Sequence, residues 1–148
     1  MHVNNLALPT YLVELIKSGR WKKPENINRL SEMTGVQRPE DFSFLSVDGM
    51  ERETNGGYFT VEQGIGNIYG IYSSRDTKES LHRADFLDVV NSIIIAVNWD
   101  EEVICLDYRE NPNEPSVVLS IYPTTSEGSV IWKVLAKNFR GFAEKLSL

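Results

Sequence analysis

Three apolar runs follow one another in the last third of the chain, and they constrain its fold more than anything else in the sequence. SIIIAVNW, EVICLDY and SVVLSIY are short, rich in β-branched and aromatic residues, and separated by turn-forming stretches. Asp100 to Glu102 form the first connection, and the RENPNEP stretch, dense in Asn and Pro, forms the second. Such spacing predicts three consecutive strands. Continuous runs such as Ile93 to Val97 predict strands covered on both faces, and hence a sheet with helices packed against it.

Helical signals lie on either side. PTYLVELIKSG places Leu8, Leu12, Leu15 and Ile16 at helical spacing, with Pro9 suited to the first turn and Gly19 to the end. A second helix is expected from Pro24 to just before Gly35, with Ile27, Leu30 and Met33 as its apolar stripe. Between Arg38 and Thr54 the pattern fits a helix after Pro39 or a strand, and a strand after Phe42 is the expectation. YFTVE and IYGIY read as two more strands about a Gly-rich turn. SVIWKVLAKNFRGFAEKL reads as one closing amphipathic helix, whose apolar face is interrupted only by Asn138. The order is helices, then strands, then a helix. This predicts an α+β fold: a single central, mostly antiparallel sheet flanked by N-terminal helices and a C-terminal amphipathic helix, in one domain over residues 1–148.

Few residues offer chemistry. Cys105 is the only cysteine and sits inside VICL, where a thiol acts as a small, inert hydrophobe. His2 and His82 are the only imidazoles, and neither has a partner pattern for nucleophilic catalysis. One cysteine and two distant histidines make no tetrahedral metal site, and Asp100, Glu101 and Glu102 lack the alternating spacing of a calcium loop. Gly64, Gly66 and Gly70 miss the dinucleotide fingerprint, because Tyr69 stands where a glycine is required. The expectation is therefore no enzyme, no metal and no cofactor.

Charge narrows the partners. Acidic residues number 21 against 15 basic ones, for a formal charge of −6. Nucleic acid is repelled by that balance, and the one basic cluster with an aromatic, Arg20-Trp21-Lys22-Lys23, is small against it. A basic protein is attracted instead. The expected contacts are Asp100, Glu101 and Glu102 in the first strand connection, and Glu110 and Glu114 in the second, carboxylates suited to pairing with Lys and Arg of a partner. Trp99, Trp132, Tyr108 and Tyr122 are aromatics of the kind that anchor interfaces or fill cores. With a lone cysteine, no apolar run long enough for a bilayer and no secretory signal pattern, the chain reads as cytoplasmic.

Residues across this region carry a resemblance. Ile94-Ile95-Ala96, then Cys105-Leu106-Asp107, then Pro115, Val117 and Val118 resemble successive strand motifs of the SUKH superfamily. Trp132, Leu135, Ala136, Phe139, Phe142 and Ala143 match the cadence of its closing helix, and Leu8, Pro9, Tyr11 and Leu12 match its opening helix. The resemblance implies a central sheet flanked by helices. It also implies a bacterial immunity protein, which neutralises a toxin domain such as a basic nuclease by binding it. A regulatory or scaffolding module with an endogenous partner is the alternative.

Overall fold

A computed structural model describes residues 1–56, 90–121 and 131–148, with only the backbone of Ile131. YFTVE, IYGIY, His82, Tyr122 and the glycines at 64, 66 and 70 lie outside the described residues.

The chain opens with a tiny hairpin, β1 (His2–Val3) and β2 (Leu6–Ala7), turned by Asn4 and Asn5 in the left-handed region. Helix α1 (Thr10–Lys17) follows Pro9 and buries Leu12 and Leu15 completely. Each of these leucines contributes roughly 1.5–3 kcal/mol by leaving water. Helix α2 (Ile27–Thr34) begins where the Asn26 side chain accepts from the Asn28 N–H (3.1 Å). It ends at Gly35 with φ 71°, a conformation that costs glycine little. Helix α1 occupies the segment its pattern predicted, and α2 starts at Ile27, three residues after the expected Pro24, because Asn26 caps it.

From Arg38 onward the expectation of a strand is half met. A 3-10 turn (Pro39–Asp41) leads to a two-residue strand, β3 (Ser43–Phe44), and then to helix α3 (Val47–Asn55). Ser46 is the reason the strand stops, since its hydroxyl accepts from the Gly49 N–H (3.1 Å) and caps the helix. The other end of α3 is tied to the sheet, where the Thr54 hydroxyl accepts the Ile94 N–H (2.9 Å).

The three strands predicted from the apolar runs are present as β4 (Ser92–Val97), β5 (Val103–Asp107) and β6 (Ser116–Ile121). Every residue of β5 is buried, as a strand covered on both faces requires. The closing segment differs from its prediction. Helix α4 (Phe139–Lys145) is real, but Ile131–Ala136 form strand β7 instead of its first turns. One tertiary contact and one local cap decide this. Residues 131–136 take their backbone hydrogen bonds from β6, and Asn138, in extended conformation, accepts the Gly141 N–H (2.8 Å) and so starts the helix there.

Among the described residues the sheet is antiparallel throughout, in the order β3-β4-β5-β6-β7. Helix α4 lies against β6, β7 and α1, and α3 lies against β4. The core gathers Leu12, Leu15, Leu30, Phe139 and Phe142 over the sheet. Trp21 closes one side of it. Its ring stacks at 4.6 Å on Phe44 and meets Phe139 at 5.6 Å, and its Nε1–H donates to the Leu45 carbonyl (2.8 Å).

Candidate functional site: two surfaces at opposite ends of the sheet

The connection between β4 and β5 is built on Asn98, whose side chain is buried. Its Oδ1 accepts the N–H groups of Asp100 (3.1 Å) and Glu102 (2.8 Å), while its Nδ2 donates to Glu102 Oε1 (2.9 Å). Glu101 takes a left-handed φ of 61°, which a side chain adopts only at some cost. So tied, the turn projects Trp99, which is 85% exposed. Asp100 and Glu101 are exposed beside it. Glu102 is half-buried, and loss of solvent raises its carboxyl above the ordinary 4.5, against the Asn98 hydrogen bond that lowers it and with the Asp100 charge that raises it. Its main contacts are within the turn.

The connection between β5 and β6 lies at the other end. Here Arg109 grips Asp107 with two bonds, Nε to Oδ1 (2.9 Å) and Nη2 to Oδ2 (2.7 Å). Asn111 Oδ1 accepts from the N–H groups of Asn113 and Glu114 (3.1 and 3.2 Å), and Tyr108 is buried with its hydroxyl donating to the Ala7 carbonyl (2.8 Å). Burial pushes the Tyr108 phenol well above its ordinary range. Glu110 and Glu114 are exposed along a groove of about 590 Å³ on the sheet, floored by Val118, Trp132 and Val134. The register aligns Ile94, Cys105, Val118 and Val134 in one row across the four strands. That row is buried as far as Val118 and opens at Val134, which is 62% exposed. Trp132 is 9% exposed, and its Nε1–H finds no acceptor among the described residues.

The five predicted contact residues are therefore divided. Asp100, Glu101 and Glu102 sit at one end of β5, Glu110 and Glu114 at the other, roughly 15 Å apart along a five-residue strand. Two residues that matter here were missed in the sequence reading, although each carried a local signal. Asn98 organises the first turn, and its signal was an Asn placed two and four residues before N–H groups it can accept. The Arg109 grip on Asp107 needed only their i, i+2 spacing across a strand end.

Other sequence readings resolve simply. Cys105 is fully buried, and its thiol is pushed up well above its ordinary value, first by burial and then by the Asp107 charge. Among the described residues, no group of three His, Cys, Asp or Glu side chains is placed to hold a metal ion. No helix among them is long and apolar enough to cross a membrane.

The model of the SMI1 / KNR4 family (SUKH-1) matches residues 8–145. No curated protein and no solved structure matches the chain.

Proposed function

The chain belongs to the SMI1 / KNR4 family (SUKH-1), and from that premise we propose that it is a non-enzymatic, immunity-type domain that neutralises a basic toxin domain, such as a nuclease, by binding it in the cytoplasm. One observation carries the reading. Trp99 stands 85% exposed on a turn whose backbone is fixed from below by Asn98, with Asp100 and Glu101 beside it. A large aromatic carried on a fixed turn gains on docking without the cost of ordering a loop. The adjacent carboxylates suit the Lys and Arg groups with which a nuclease holds phosphate, and they speed its approach.

The test uses purified nuclease toxin domains encoded beside the gene, with complex formation measured by calorimetry and protection measured as residual nuclease activity. Trp99→Ala is expected to weaken the complex by about 2 kcal/mol or more while leaving the fold intact. Asp100→Lys is expected to slow association and remove its salt dependence. Full protection by both variants rejects the turn as the docking site. A chain that neutralises none of these toxins loses the immunity reading.

A regulatory or scaffolding role is the second reading. It is favoured by the presence of two surfaces, because Glu110 and Glu114 border a groove at the opposite end of β5 from Trp99. Two proteins bound at once, each lost on mutation of only one end, distinguish this role.

A further inference from the structure

We propose that the recess formed where the α1–α2 connection meets the end of α4 binds a phosphorylated small ligand of the nucleotide class. The recess has a volume of about 390 Å³ and is lined by Arg20, Lys22, Lys23 and Arg29, with Glu25 the only acidic side chain among its lining residues. In a chain of net charge −6 this is a local reversal of sign. Arg20, Lys22 and Arg29 have no carboxylate within ion-pair reach among the described residues.

The backbone that carries two of the cations is fixed. The N–H groups of Arg20 and Trp21 both donate to the Leu15 carbonyl (2.8 and 3.0 Å), and Trp21 is locked into the core. That anchor leaves the side chains of Arg20 and Lys22 exposed on either side of it. Lys23 donates to the Glu40 carbonyl. Asn26 caps α2, whose first turn adds its positive end to the same recess. Guanidinium groups of Arg20 and Arg29 offer the forked donors that suit phosphate oxygens.

A neighbouring recess of about 640 Å³ shares Asn26 and Arg29 with the first and continues onto Met33, Val134 and Leu135 beside Glu32 and Lys145. Arg29 thus stands between a cationic chamber and one of mixed lining, in which Met33, Val134 and Leu135 supply the apolar part. A phosphate seated in the first leaves an attached flat or apolar group against the second, which is the layout of a nucleotide. Both volumes fall in the range of small-molecule sites. A long nucleic acid fits less well, since its phosphates beyond this patch face an acidic surface.

Titration calorimetry and backbone amide NMR with adenosine monophosphate test the site. Saturable binding is expected, with shifts concentrated in residues 20–29, and inorganic phosphate is expected to bind about tenfold more weakly. Arg29→Ala and Lys22→Glu, both at exposed positions, are each expected to weaken binding about tenfold, and Arg52→Ala, outside the recess, to leave it unchanged. Absence of saturable binding, or variants that bind like the parent, overturns the proposal. Equal affinity for inorganic phosphate removes the nucleotide class, and tighter binding of single-stranded RNA per site replaces it with nucleic acid.

Discussion

Asn98 and Glu102, four residues apart, are joined by three hydrogen bonds. Asn98 N–H donates to the Glu102 carbonyl (3.1 Å), Glu102 N–H donates to Asn98 Oδ1 (2.8 Å), and Asn98 Nδ2 donates to Glu102 Oε1 (2.9 Å). The hairpin turn that carries Trp99 is closed by this pair before any partner arrives, so its shape is a property of the chain.

Asn98→Ala removes the acceptor of two backbone N–H groups and is expected to cost about 1–3 kcal/mol. Urea unfolding measures the loss. The same variant loosens the turn, so its effect on partner binding is expected to exceed that of a distant variant of equal stability.

Glu102 sets a pH dependence whose sign follows from its environment. Burial holds its folded carboxyl above the ordinary 4.5. The folded state therefore keeps the proton to a higher pH than the unfolded state, and stability contributed by this group falls as pH rises above 4.5 through the folded value. Glu102→Gln retains an oxygen for Asn98 and cannot ionise, so it is expected to flatten that fall and to be the more stable form at neutral pH. Carboxyl NMR titration adds a second check: in Asn98→Ala the Glu102 midpoint rises further, because the hydrogen bond that lowers it is gone.

Trp132 buries a ring together with an N–H that has no acceptor among the described residues. Trp132→Phe keeps most of the ring and deletes the donor, whose burial without a partner costs about 1–3 kcal/mol. The expected change in Tm is close to zero or upward, where a core Trp→Phe substitution with a satisfied N–H lowers it. A drop of several degrees contradicts the assignment of an orphaned donor.

Arg109→Ala leaves the nearly buried Asp107 carboxylate without its forked partner and is expected to cost about 2–4 kcal/mol. Arg109→Lys is expected to recover less than half of this, since an ammonium cannot make both bonds at once. Thermal unfolding of the pair separates charge from geometry.

What the sequence determined by itself were the features set by neighbours along the chain. The Ile93–Val97, Val103–Asp107 and Val117–Ile121 runs declare strands through their β-branched content, and Pro9, Gly19 and Gly35 mark helix ends through φ alone. Asp100, Glu101, Glu110 and Glu114 were legible as exposed, whereas Glu102, expected to be exposed with them, is half-buried. Only the tertiary structure decided the fate of 131–136, because the residues there are equally spaced for a helix face, and the open hydrogen bonds of β6 made them a strand. It also decided that Glu110 and Glu114 stand apart from Asp100 and Glu101, because an antiparallel meander sends alternate connections to opposite ends of the sheet. And it gathered Arg20, Lys22 and Arg29 into one recess, an arrangement that arises when Trp21 is pulled into the core between them. Spacing along the chain is set by local sterics; which ends and faces meet is set by how the sheet closes on its helices.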